Sequence, residues 1–192
     1  MIGNKKLIYY LVFFHCAIIA ISNYLVQFPI NLFGYDFTIA TFTFPFIILA
    51  TDLTVRLSSA LTARKIITYS FIPAFFISFY FADFRIAIAS VSAYGLGQIL
   101  DIFVFSKVQR DFKDDGFSMN SYWFIAPILS TFYAQILDTY LFYGIAFYNS
   151  SDEFMRENWV NIANNDLIFK LLVCYLAFLP IYVLILNRTF NF

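Results

Sequence analysis

The twenty residues IAIASVSAYGLGQILDIFVF (Ile86–Phe105) decide the fold. They form an unbroken apolar run of the length a helix needs to cross a bilayer, about 20 residues. They carry one carboxylate, Asp101, and one carboxamide, Gln98, in their second half. Five further runs of this kind occupy most of the remaining chain: residues 7–26, 37–56, 66–82, 122–148 and 167–187. A barrel strand would show roughly 9–11 residues of alternating polarity, and these runs do not alternate. The expectation is an all-α membrane protein of six transmembrane helices, formed as a single domain over residues 1–192.

Composition points the same way. Of 192 residues, 61% are hydrophobic, 22% aromatic and only 12% charged, with 27 Phe and 14 Tyr; mean hydropathy is +0.76. A soluble domain is roughly 45–50% apolar and about 25% charged, so a water-soluble enzyme is excluded. The 12 basic and 12 acidic residues cancel, which removes the electrostatic case for nucleic-acid binding. Cys16 and Cys174 both fall inside spans and read as small core residues, not as a disulfide or metal pair.

The cations set the orientation. Lys5, Lys6, Arg56, Arg64, Lys65, Lys107, Arg110, Lys113 and Arg188 fall on one side, against Arg85 and Arg156 on the other. The positive-inside rule then makes both termini cytoplasmic. The first run has a basic start and a small-residue Ala20-Ile-Ser22 site. Its apolar character continues through Val26, which favours a retained span over a cleaved signal peptide. Residues Asn149–Asp166 read as a long acidic outer loop. Four spans contain a proline (Pro45, Pro73, Pro127, Pro180), read either as ordinary kinks or as broken helices around a central site.

Polar groups inside an apolar medium are expensive and mark functional positions. The tetrapeptide Gln98-Ile-Leu-Asp101 recurs as Gln135-Ile-Leu-Asp138 in the next span. A spacing of three places Gln and Asp on one face of each helix. Because the two helices are consecutive and antiparallel, both faces can turn into one bundle interior. A carboxylate accepts from two adjacent N–H donors, and a carboxamide both donates and accepts. Together they match the Watson–Crick edge of a guanine-like base, on which Phe or Tyr would stack. The alternative is that these groups hold helices together across neighbouring spans.

Asn23 and Gln27, at the end of the first span, are explained by interfacial hydration or by ligand contact. Asp52 and Arg56 form an i,i+4 pair suited to a local ion pair or to gating. Asp166 and Lys170 form a similar pair, in which Lys170 reads as a residue placed over a pocket or holding a carboxylate. His15 reads as a core residue or a proton relay. No HExxH, GxSxG, P-loop or GxGxxG motif occurs. No catalytic residue, cofactor or metal is therefore expected.

Several strings carry a family resemblance: SNYLVQFP (Ser22–Pro29), FPFIILATDLTVR (Phe44–Arg56), YGLGQILDIFVF (Tyr94–Phe105), ILSTF (Ile128–Phe132) with the following LDT, and FLPIYVLILN (Phe178–Asn187). They resemble the queuosine precursor transporters, a six-span branch of the vitamin uptake family. That branch is similar in fold to the substrate-binding subunits of energy-coupling-factor transporters. The resemblance implies import of 7-cyano-7-deazaguanine and 7-aminomethyl-7-deazaguanine across the bacterial inner membrane for tRNA queuosine salvage. It carries over Asn23, Gln27, Asp52, Arg56, Gln98, Asp101, Asp138 and Lys170. The chain departs from the family at Gln135, where members have Asn, and in its shorter Asp83-Phe84-Arg85 turn.

Asn23, Gln27, Gln98, Gln135, Asp138 and Lys170 are thus expected to bind substrate, and Asp52, Arg56 and Asp101 to gate or couple. The expected partners are a small 7-deazaguanine and the lipid bilayer, without nucleic acid. The other readings are a binding subunit that needs a separate energising module, a membrane scaffold and an intramembrane enzyme. On the first helix Ala17 and Ala20 are three apart, not four, so the docking surface common in such subunits is not evident.

Overall fold

The computed structural model describes residues 5–43, 46, 60–114 and 125–178. The chain is mostly helical. Helix α1 (Lys5–Leu25) leads into a hairpin of β1 (Pro29–Leu32) and β2 (Tyr35–Thr38), then a short 3-10 turn, Ile39–Phe42. Helices α2 (Ala60–Phe81), α3 (Phe84–Asp114), α4 (Ile125–Phe147) and α5 (Glu153–Val173) follow, and α5 continues as a π-turn, Cys174–Phe178. Among the described residues, Ile8–Leu25 and Phe84–Val108 are long and apolar enough to cross a membrane, and Thr68–Phe81 is a shorter apolar stretch.

The most extensive contact is between α3 and α4, and the sequence explains it. Ile86, Ala89, Ser90, Ala93, Tyr94, Gly97 and Gln98 alternate in steps of three and one, the stripe of a single helix face. Small residues at successive turns let two backbones approach closely where lipid supplies no hydrophobic drive. Gly97 is the tightest point: a methyl there would meet Asp138 Cβ at 3.4 Å. Gly95 instead faces the ring of Phe71 on α2. The glycine pair therefore serves two neighbours, one on each side of α3.

At one end of the bundle a core of Val26, Ile86, Phe142, Tyr143, Met155 and Ile162 joins α1, α3, α4 and α5. The short Asp83-Phe84-Arg85 turn closes this end. Asp83 Oδ1 accepts from Arg85 N at 3.0 Å, which caps the start of α3. The Arg85 guanidinium donates to the carbonyls of Ile145 (2.9 Å) and Tyr148 (2.6 Å) at the end of α4. It satisfies acceptors that a helix C-terminus leaves without partners and suits the negative end of the helix dipole.

The structure differs from the sequence reading in three places. The span expected over 37–56 does not begin as a helix: Phe37 and Thr38 complete β2, and Ile39–Phe42 form the 3-10 turn. The hairpin turn has φ +55° at Phe33 and +83° at Gly34, the two positive values that a two-residue turn needs to match strand twist. Secondly, the expected acidic loop Asn149–Asp166 is helical from Glu153 onward, so α5 starts fourteen residues before position 167. Asp152 N-caps it by accepting from Met155 N at 3.0 Å, with Glu153 in the first turn. Thirdly, α3 runs on to Asp114, beyond the expected end at 105.

Pro73 lies inside α2, and Pro127 falls in the first described turn of α4. Pro45, Pro180, Asp52 and Arg56 lie outside the described residues. Cys16 and Cys174 are both buried, and Cys16 Sγ donates to Ser70 O at 3.4 Å.

Three outcomes check this packing by thermal unfolding in detergent. Arg85→Ala should cost roughly 1.5–3 kcal/mol, the scale of hydrogen bonds from a charged donor. Gly97→Val should cost about 1–3 kcal/mol by overpacking. Gly97→Ala, whose methyl would stand at contact distance, should stay within about 1 kcal/mol of the parent.

Candidate functional site

A cleft of about 60 Å³, room for several waters, opens between α1, α3, α4 and α5. Its walls are Ile19 from α1, Ser90, Tyr94, Gly97 and Gln98 from α3, Ala134, Gln135, Asp138 and Phe142 from α4, and Lys170 from α5. Both glutamines of the repeated tetrapeptides, the second aspartate and the lysine are thereby brought to one place. The repeat converges because α3 and α4 are antiparallel and packed through Gly97, so equivalent faces meet.

The electrostatics centre on Lys170. Its side chain is 3% exposed, and its ammonium lies 2.7 Å from Asp166 Oδ2 and 4.0 Å from Asp138 Oδ2. It also donates to Thr139 Oγ1 at 3.3 Å. The two carboxylates are placed differently. The Asp166 side chain is fully buried, whereas that of Asp138 is 29% exposed and faces the cleft. One ammonium thus serves two carboxylates, and the nearer one is out of a ligand's reach.

Gln135 is buried, and its Oε1 has no hydrogen-bond partner. A buried amide oxygen without a partner carries a desolvation penalty of about 1–3 kcal/mol, and here it borders an open cleft. Tyr94 and Phe142 line the same cleft as the polar groups. Each is held by an edge contact, Tyr94 to Phe71 at 5.1 Å and Phe142 to Tyr143 at 5.4 Å.

The other expected residues stand elsewhere. Asn23 is buried between α1 and α2 and donates to Ser78 Oγ at 2.7 Å. Gln27 donates to Tyr24 O (3.1 Å) and to Phe81 O (3.4 Å) at the end of α2. Neither borders the cleft, and α1 contributes Ile19 instead. Asp101 lies one turn beyond Gln98 and is hydrogen-bonded with Ser130 of α4. His15 is buried on α1, with Nδ1 hydrogen-bonded to Leu11 O at 2.8 Å. Among the described residues, no group of three or more His, Cys, Asp or Glu is placed to hold a metal ion.

Sequence reasoning treated Asp166 as a local partner of Lys170 and gave it no place in the site. The signal was present: Met155, Ile162, Ala163, Asp166 and Lys170 follow helical spacing on the buried face of α5. The hairpin also reaches this region. Asn165 Nδ2 donates to Asp36 O at 2.8 Å, and the Thr38 and Tyr143 hydroxyls are 3.3 Å apart. Phe42 packs edge-on against Phe169 at 4.9 Å. Phe33-Gly34 following Pro29 was the cue to the hairpin, masked by the surrounding apolar residues.

Comparison with known proteins identifies the family. Residues 81–185 match the family described as "Putative vitamin uptake transporter". The chain is 41% identical to the "Queuosine precursor transporter" of Escherichia coli, over 95% of this chain and 87% of that protein. It is 39% identical to the "Probable queuosine precursor transporter" of Haemophilus influenzae, over 96% of this chain and 88% of that one. No solved structure shows a significant match. The matched region spans α3, α4 and α5, which supply all of the cleft except Ile19. This chain belongs to the vitamin uptake family, with the queuosine precursor transporters: a membrane transporter and not an enzyme.

Proposed function

We propose that this protein imports 7-cyano-7-deazaguanine and 7-aminomethyl-7-deazaguanine across the bacterial inner membrane, to be used in tRNA queuosine formation. In this reading it is a multi-pass protein of six spans with both termini cytoplasmic, built like the substrate-binding subunits of energy-coupling-factor transporters. It works as a standalone carrier. The observation that carries the proposal is the meeting of Gln98, Gln135 and Asp138 in one cleft that Tyr94 and Phe142 also line.

A 7-deazaguanine offers N1–H and a 2-amino group as adjacent donors and O6 as an acceptor. Asp138, the partly exposed carboxylate, accepts from the two donors in a charge-assisted pair. An amide N–H of Gln98 or Gln135 donates to O6. Tyr94 and Phe142 cover the faces of the base, and base–aromatic stacking is worth roughly 1–3 kcal/mol per base. The unpartnered Gln135 oxygen gains a donor from the ligand or from water entering with it.

In this scheme Lys170 borders the site beside Asp138, while Gln27, away from the cleft, ties the end of α1 to α2. Asp101, with Asp52 and Arg56, acts in release or gating on the cytoplasmic side. The Asn23–Ser78 bond belongs to helix packing, the ordinary use of an amide between spans.

The test is complementation in a bacterium that neither makes nor imports the precursors. It is fed nanomolar 7-cyano- or 7-aminomethyl-7-deazaguanine, and its tRNA is assayed for queuosine. Rescue by this chain alone is expected. An absence of rescue despite membrane insertion would overturn the standalone importer and favour a carrier that needs an energising module. Among the described residues Asp138 is the one charged acceptor lining the cleft, and Asp138→Asn should cut uptake about tenfold or more. Gln98→Ala and Gln135→Ala should each weaken uptake less, by about threefold to tenfold, the scale of a neutral hydrogen bond. Their uptake is read against insertion levels matched by immunoblot.

A further inference from the structure

We infer that Asp166 is a positioning residue whose task is to hold Lys170 beyond hydrogen-bond range of Asp138, so that the Asp138 carboxylate keeps its acceptor positions open to a ligand with adjacent N–H donors. The inference rests on the substrate class proposed above and names the residue that makes the site selective for it.

The geometry carries the argument. Lys170 and Asp166 are both withdrawn from solvent, at 3% and 0% exposure, and lie 2.7 Å apart. Asp166 Oδ1 has no hydrogen-bond partner. Burying two ions costs several kcal/mol each, and the attraction repays this only where the remaining lone pairs are also satisfied. An apolar pair of similar volume would therefore serve stability at least as well. What such a pair could not do is fix the charge of the cleft.

Asp138 lies 4.0 Å from the same ammonium, beyond hydrogen-bond range but within reach of a small side-chain movement. If Asp166 did not compete for Lys170, the ammonium would move onto Asp138. The cleft would then hold a closed ion pair, and the carboxylate's strongest acceptor positions would be taken. With Asp166 present, the ammonium is held behind the wall and the Asp138 oxygens stay open toward the ligand. Thr139 Oγ1, at 3.3 Å, steadies Lys170 in that position. The arrangement favours ligands bearing an amidine-like donor edge. It discriminates against an adenine-like edge, whose N1 is an acceptor, and against a hypoxanthine-like edge, which keeps N1–H but lacks the 2-amino donor.

The experiment measures binding of 7-cyano-7-deazaguanine to the purified full-length chain in nanodiscs by calorimetry, with melting temperature recorded for every variant. Asp166→Asn should remain folded and bind about tenfold or more weakly, as expected for a charge-assisted hydrogen bond lost to the ligand. Adding Lys170→Met to Asp166→Asn removes the ammonium that would block Asp138 and should recover most of that loss. A purely structural role for Asp166 would lower the melting temperature and leave the affinity of the folded fraction unchanged. Parental affinity in folded Asp166→Asn, or a double variant as weak as the single one, overturns the inference. No binding by the parent chain overturns the substrate reading, and this inference with it.

Discussion

An ammonium buried in an apolar bundle has to be matched by a carboxylate, and in this protein it is matched by more than one. Lys170 lies against Asp166 at 2.7 Å and near Asp138 at 4.0 Å. Much of the surrounding architecture follows from keeping that cluster intact. Helix α5 has to extend back to Glu153 for the turns carrying Asp166 and Lys170 to be anchored by Met155 and Ile162. Helix α4 has to stand close enough for Thr139 and Asp138 to reach the same ammonium. Helix α3 has to be narrow at Gly97, where it passes Asp138 Cβ. The polar cluster thus constrains three helices at once, in a medium where unpaired charge is costly.

The repeated Gln-x-x-Asp signature was legible because it rests on two robust rules: helical spacing within each span and antiparallel packing between consecutive spans. Those rules suffice to bring Gln98, Gln135 and Asp138 to one cleft. Lys170 arrives by the same helical logic from α5. The aromatic walls were legible only as a class, since 22% of the chain is aromatic and nothing local distinguishes Tyr94 or Phe142 from the rest. Asn23 and Gln27 show the limit of reading polar residues one at a time. An amide finds whichever acceptor lies across the interface, and that is a tertiary fact: Ser78 Oγ for the buried Asn23, the Phe81 carbonyl for the more exposed Gln27.

Hydropathy failed where a helix keeps its polarity inside. The stretch RENWVNIANND (Arg156–Asp166) reads as a solvated loop by average, yet Ile162, Ala163 and Asp166 are buried on one side of α5. Its start was marked by Asp152 and Glu153, an N-cap and a first-turn acid, signals independent of hydropathy. The hairpin was missed for the opposite reason. Its strands are as apolar as the span that follows, so a window built to find 20-residue runs absorbs them. The turn uses Phe33-Gly34 in place of the commoner Asn-Gly.

That hairpin is attached unequally on its two sides. It joins α1 covalently through residues 26–28, and Ser22 Oγ meets Thr43 Oγ1 at 2.8 Å, so both ends of the loop are referred to α1. Toward α4 and α5 it is held by the Asn165–Asp36 and Thr38–Tyr143 hydrogen bonds and the Phe42–Phe169 ring contact. Neutral hydrogen bonds of this kind contribute about 0.5–1.5 kcal/mol each. The assembly therefore has a hinge on the α1 side and a light clasp on the α5 side. Three residues separate Asn165 from Phe169 at that clasp, and between them lies the buried Asp166. Whatever loosens the clasp acts on the very turn of helix that holds Lys170.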